Sequence, residues 1–385
     1  MSAPQQPGSP RRIVLVTGAP RSGTSTMAGT LHYLGLHVPE PVLQGNESNP
    51  RGFFESWWPV RFHKRIMARA VIEQTDGRPE AQAAMQAAVD DGARAELTTW
   101  LADVVSGSDR VVVKDPRSVW LPRLWSESAE AVGAELGFVI MLRHPAEVVG
   151  SRATYYAANR PHLDPLQFAV WSLCGWVNQN LVVERQTRGL ARAVVRYDDL
   201  VGDWRRVIRL LSEHDGLPVD AEPDPAAAAE VDAFVDPALQ RHATSWDGWD
   251  LPSQLVEVAE GIHAALSWVA VGADPQAGPS EAEVRADLDA LGERYDRLYA
   301  FAAAIAQDVS TARAAAAWAE GLAQGRQEGR DAERSARASG AETQAPPPAL
   351  FRARARRVLG RTVGRVPGAR RLRDRIRARR SLSPR

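Results

Sequence analysis

A single cysteine, Cys174, stands in 385 residues, which excludes a disulfide framework and any zinc site built from cysteines. Lysine is almost as scarce: Lys64 and Lys114 are the only two, and arginine supplies the other cations. No apolar run approaches the roughly 20 residues that a membrane-spanning helix needs. Met1 to Arg12 is rich in Pro, Ser and Gln and carries no apolar stretch of the leader type, so a cytoplasmic protein is expected. Net charge is zero, but the average hides an asymmetry: Phe351 to Arg385 holds fourteen Arg against one acid, Asp374. The rest of the chain therefore carries an equal acidic excess, and body and tail are electrostatically different objects.

What is present is a globular composition, 44% apolar with 12 Trp, long enough for one large domain with appendages. Its most informative stretch runs from Ile13 to Thr26. The β-branched run Ile13-Val14-Leu15-Val16 ends at Thr17 and Gly18, Gly23 follows five positions on, and Thr24, Ser25 and Thr26 open an Ala/Leu-rich segment. That pattern predicts strand, loop and helix. Its glycines let successive backbone N–H groups and the helix N-terminus face a phosphate or sulfate. Gly18 and Gly23 have Walker A spacing, yet Thr24 stands where that motif has Lys, which argues against Mg²⁺-nucleoside triphosphate chemistry. The cation lies inside the loop, at Arg21.

Helices are expected over about 59–72, 80–105, 120–132 and 166–186. Short buried strands are expected at 111–113, 137–142 and 193–197, with further helices between 221 and 271. Strands alternating with helices predict a parallel sheet covered on both faces, with its ligand crevice at the carboxyl ends of the strands. Gly18, Lys114 and Arg143 sit at such ends. Val284, Leu288, Leu291, Tyr295, Leu298, Ala302, Ile305, Val309, Ala312 and Ala316 form a heptad seam. This seam predicts a coiled coil or a helix packed back on the domain, and offers a surface for a homo-oligomer. The expected boundaries are a disordered 1–11, a catalytic domain over 12–275, a helical extension over 276–322, a linker over 323–350 and a basic amphipathic tail over 351–385. The tail suits an anionic membrane surface, with disorder or non-specific nucleic-acid contact as alternatives.

The run Pro20-Arg21-Ser22-Gly23-Thr24-Ser25 resembles the 5′-phosphosulfate loop of sulfotransferases that use 3′-phosphoadenosine 5′-phosphosulfate (PAPS). Arg143 to Arg152 is similar to the second signature of that family, with Arg143 and Ser151 at its spacing and Glu147 where an Asp is more usual. Val195 to Leu200 resembles a late strand-end element, read here as scaffold. The resemblance covers residues 12 to about 215 well, the next 60 loosely, and the remainder not at all. It implies an α/β, P-loop NTPase-like sulfotransferase fold with a parallel sheet flanked by helices. It implies PAPS as co-substrate, with no metal, and an acceptor hydroxyl on a glycan or glycolipid.

On that resemblance Gly18, Ala19, Pro20, Arg21, Ser22, Gly23, Thr24, Ser25 and Thr26 hold the phosphosulfate, while Arg143 and Ser151 hold the 3′-phosphate. Lys114, in a Lys-x-Pro segment, meets the sulfuryl oxygens beside Arg21. Glu55 is the first candidate for the base and Glu47 the second; His63 and His144 read as structural. Asn46, Glu47, Arg51 and Arg117 would line the acceptor side, and Arg241, His242 and Trp246 mark a late loop of low weight. Two other classes stay open: a kinase-like nucleotide-dependent transferase, and a non-catalytic, membrane-associated coiled-coil scaffold. A peripheral position at the inner membrane face follows from the tail alone.

Overall fold

A computed structural model describes residues 11–338 except 48, 215, 216, 218, 221, 223, 237–243 and 275. The basic tail, Arg241 and His242 therefore lie outside the described residues. Strands β1 (Arg11–Thr17), β2 (Arg110–Lys114), β3 (Ala134–Leu142) and β4 (Arg192–Arg196) form one parallel sheet in the order β2-β1-β3-β4. Leu15 lies opposite Val113 on one side and Phe138 on the other, so β1 is central. The chain leaves β1 to build β2 on one flank and β3 on the other. Such a reversal opens a crevice at the strand ends beside β1.

The strands are short apolar runs because both faces are covered. Ile13 and Leu15 pack on one side with Val111, Val113, Phe138 and Ile140; Val14 and Val16 pack on the other with Val112, Val139, Met141 and Val195. This alternation is the period-2 rule applied to a two-sided core. The helices are α1 (Thr24–Tyr33), α2 (Trp57–Ala70), α3 (Ala81–Ala87), α4 (Asp91–Gly107), α5 (Pro122–Ala131), α6 (Pro145–Tyr156) and α7 (Pro165–Thr187). They continue with α8 (Tyr197–Gly202), α9 (Trp204–Ser212), α10 (Pro225–Phe234), α11 (Ser253–Trp268) and α12 (Glu281–Ala338). No helix among the described residues is long and apolar enough to cross a membrane.

Two features differ from the sequence expectation. The helix expected over 80–105 is two, because Asp90 takes an extended conformation and caps α4 by accepting from Ala93 N–H at 2.7 Å. Helix α12 runs through 323–338, part of the expected linker; that segment is rich in Ala, Gln, Glu and Arg and meets no proline before Pro346. Among the described residues, those up to 304 and those from 305 to 338 form separate units by their internal contacts. Within the first, Val284, Leu288 and Tyr295 of the heptad seam are buried in the core, and the Tyr295 hydroxyl is hydrogen-bonded at the carbonyls of Gly77 and Cys174. In the second, Ile305, Val309, Trp318 and Leu322 are exposed.

A cationic crevice at the strand ends

The loop after β1 is shaped by two glycines. Gly18 has φ 137° and Gly23 φ 90°; a Cβ at Gly18 would stand 2.6 Å from the Met141 carbonyl oxygen, and one at Gly23 2.2 Å from the Tyr197 ring. No other residue fits either place. Between them Arg21 adopts φ 74°, a left-handed conformation that costs a non-glycine residue roughly 1–2 kcal/mol. Its side chain points toward α6, where Nε donates to Ser151 Oγ at 2.9 Å and the guanidinium lies 4.7 Å from the Tyr155 ring centroid.

Arg143, just past β3, closes the other side of the loop. Its Nε donates to Glu147 Oε2 at 2.8 Å, Nη1 donates to the Arg21 carbonyl at 3.1 Å, and the group lies 4.4 Å from the Tyr197 ring centroid. Glu147 therefore orients the arginine from one turn along α6. Tyr197, read from the sequence as scaffold, supports both the glycine loop and Arg143. Burial pushes its phenol pKa up, only partly countered by Arg143.

At the end of β2, Lys114 Nζ donates to Glu55 Oε1 at 2.6 Å and to Ser25 Oγ at 3.1 Å. Arg117 Nη1 reaches Glu55 Oε2 at 3.4 Å and Asp115 Oδ1 at 2.7 Å. Trp125 donates its indole N–H to His63 Nε2 at 3.0 Å, so the His63 proton sits on Nδ1 and is donated to Asp115 Oδ2 at 2.8 Å. Burial opposes ionisation of Asp115, but Arg117 and His63 outweigh it and hold the carboxyl well below the usual range. Burial likewise opposes the charge on Arg117, and Asp115 and Glu55 raise its pKa against it. His63 is thus a fully buried anchor for Asp115, not a group facing a reactant.

Lys114, Arg117, Glu55, Arg143 and the loop line one crevice of about 940 Å³, within the range of small-molecule sites. Pro20, Arg21, Gly23, Thr24, Ser25, Thr26, Asn46, Glu47, Arg51, Glu55, Lys114, Arg117, Arg143 and Ser151 all border it. Gly18, Ala19 and Ser22 are buried and do not line it. Arg51 is drawn toward α10, bonding the Phe234 carbonyl and Asp236. Asn49, which sequence reading did not place in the site, donates to Ser25 Oγ at 3.1 Å and to the Gly52 carbonyl at 2.6 Å. His144 points away from the crevice, its Nε2 3.3 Å from Glu260 Oε2, and Trp246 donates to the same carboxylate.

Two polar atoms test whether the crevice suits an anionic donor. Ser22 Oγ and Arg143 Nη2 are buried with no hydrogen-bond partner among the described residues, although buried donors are almost always satisfied. Arg143 borders the crevice, and an anion held there would satisfy its Nη2; Ser22 lies in the loop but not on the crevice wall. The residues therefore fit a phosphate- and sulfate-bearing group.

A cradle of this kind is cationic within the loop and lacks the Walker lysine, and it fits a transferase. The chain belongs to the sulfotransferase family, whose model matches residues 14–221, and its fold is a parallel sheet flanked by helices with a long C-terminal helix. The sulfotransferase domain of the olefin synthase of Synechococcus PCC 7002 is 18% identical with a TM-score of 0.38, covering 69% of this chain and 98% of that domain. The sulfotransferase domain from the curacin biosynthetic pathway is 20% identical with a TM-score of 0.39, covering 67% and 98% respectively. No curated protein matches the sequence.

Proposed function

We propose that the protein transfers a sulfuryl group from PAPS to an acceptor hydroxyl, on a glycan or glycolipid, by in-line displacement without a metal. The observation that carries this reading is the meeting of two charged groups in one crevice: Arg143, Ser151 and Arg21 on the β3 side, and Lys114, Glu55 and Ser25 on the β2 side. PAPS supplies an activated sulfuryl group on a leaving phosphate. Backbone N–H groups of Gly18–Thr26 and the α1 N-terminus receive the 5′-phosphosulfate, while Arg143 and Ser151 receive the 3′-phosphate.

Lys114 holds the sulfonate oxygens, and its charge, with that of Arg21, meets the negative charge that develops on the leaving side. Glu55 takes the proton of the acceptor hydroxyl as the new S–O bond forms and the old one breaks. The Lys114 and Arg117 contacts fix the Glu55 carboxylate in place, and the rigid Asp115–His63–Trp125 chain fixes Arg117. The basic 351–385 tail would bring the enzyme to an anionic membrane face. The test is release of adenosine 3′,5′-bisphosphate from PAPS, in the presence of EDTA and a panel of hydroxyl acceptors. Acceptor-dependent release supports the reading; none across the panel, with ATP consumed instead, defeats it.

A further inference from the structure

The buried cations of this fold come with carboxylates: Lys114 with Glu55, Arg117 with Asp115, Arg143 with Glu147. Arg152 is the exception. It is 5% exposed, and among the described residues no carboxylate lies within ion-pair distance of it. Its Nε donates to Ser172 Oγ at 3.2 Å, and its guanidinium lies 4.7 Å from the Trp171 ring centroid. Burial pulls its pKa down to about 10, which still leaves it charged at neutral pH. A buried charge without a counter-ion is costly, and the fold retains one where the crevice wall is formed.

The surroundings add to the demand for an anion. Arg160 stacks on Trp171 at 3.9 Å, and Lys64 and His162 also border the crevice. The acid there, Glu73, is already bonded to Arg160. Ser151 faces Arg21 and the glycine loop, whereas Arg152, about 100° further round α6, faces α7. The two neighbours thus have different partners, although both border the crevice.

We propose that Arg152, with Arg160 and Trp171, forms an oxyanion subsite for the acceptor, which carries a phosphate or carboxylate group near the hydroxyl that is sulfated. The planar fork of an arginine backed by an aromatic wall suits either group. This inference rests on the proposed function for the word acceptor; the anion site itself does not.

The test is calorimetric titration of the full-length protein with phenyl phosphate, benzoate and benzyl alcohol, with and without saturating adenosine 3′,5′-bisphosphate. At least one anion should bind the saturated protein at least tenfold more tightly than the neutral alcohol, and the two anion arms tell phosphate from carboxylate. Arg152→Gln should weaken that anion at least tenfold while leaving bisphosphate affinity within threefold, and its thermal midpoint should not fall, since an unpaired buried charge is removed. Arg152→Lys, which keeps the charge without the fork, should be intermediate, and Arg160→Gln should weaken the anion without touching the bisphosphate. Wild-type anion binding in Arg152→Gln, a bisphosphate loss equal to that of Arg143→Ala, or no anion binding to the wild type would each overturn the proposal. Failure of the bisphosphate alone to bind would instead defeat the donor assignment, and the difference between wild type and Arg152→Gln in benzoate binding without it would still read this subsite.

Discussion

Glu55→Gln separates a catalytic carboxylate from a structural one. The change keeps the shape of the side chain and removes the charge that Lys114 contacts at 2.6 Å and Arg117 at 3.4 Å, in a site where both Glu55 and Lys114 are more than nine-tenths buried. Breaking a buried pair commonly costs 3–5 kcal/mol; here Lys114 keeps Ser25 and Arg117 keeps Asp115, so the loss should be about 3 kcal/mol. Without a proton acceptor, turnover should fall roughly 10²- to 10⁴-fold. Adenosine 3′,5′-bisphosphate should bind more tightly, by about tenfold, because Lys114 is freed to serve the phosphate. Urea unfolding, calorimetry and turnover per folded molecule read the three quantities separately. Unchanged turnover with lowered stability would make Glu55 a structural counter-ion, and weaker bisphosphate binding would refute the place given to Lys114.

Gly23→Ala puts a methyl group 2.2 Å from the Tyr197 ring at a positive φ; stability should fall by about 1–3 kcal/mol and bisphosphate affinity with it, as measured by calorimetry. Burial, reinforced by His144, pulls the His263 pKa from 6.5 down to about 4. The unfolded chain therefore takes up a proton before the folded one, so this contribution is complete above pH 6.5 and is lost as pH falls toward 4. It amounts to at most about 3 kcal/mol, and His263→Gln should flatten the urea midpoint between pH 7 and 4.5. Tyr295→Phe removes the donor to the carbonyls of Gly77 and Cys174 and should cost about 1–3 kcal/mol in thermal unfolding, with turnover unchanged.

The sheet and the loop were legible because their causes are local: short β-branched runs, two glycines at a fixed spacing, and cations just past strand ends. Arg143 and Ser151 were paired through the resemblance to the family's second signature, which lies on one strand-helix unit. Lys114 stood out because the chain otherwise uses arginine. The chain Trp125–His63–Asp115–Arg117 was not legible, as it joins α2, α5 and the turn after β2 through tertiary contacts that no local pattern encodes. The break at Asp90 was hidden by strong helix formers on either side; a cap decides it, and caps depend on one residue's backbone. Arg152, named only as the end of the signature that holds Ser151, was given no role because what distinguishes it is the lack of a carboxylate partner, which only the packing of α7 reveals. The heptad seam was read correctly as apolar, but its period does not say whether the partner surface is the same domain, as it is for Val284, Leu288 and Tyr295, or another chain.

The central claim is that the loop after β1, together with Arg143, holds a 3′-phosphorylated, metal-free donor. It is tested most directly by titrating adenosine 3′,5′-bisphosphate into the full-length protein in EDTA, for the wild type and for Arg143→Ala. The account predicts micromolar binding by the wild type and at least a roughly tenfold loss in the variant, the worth of a charge-assisted contact to the 3′-phosphate. Absence of binding to the wild type, or equally tight binding of ATP, would contradict it.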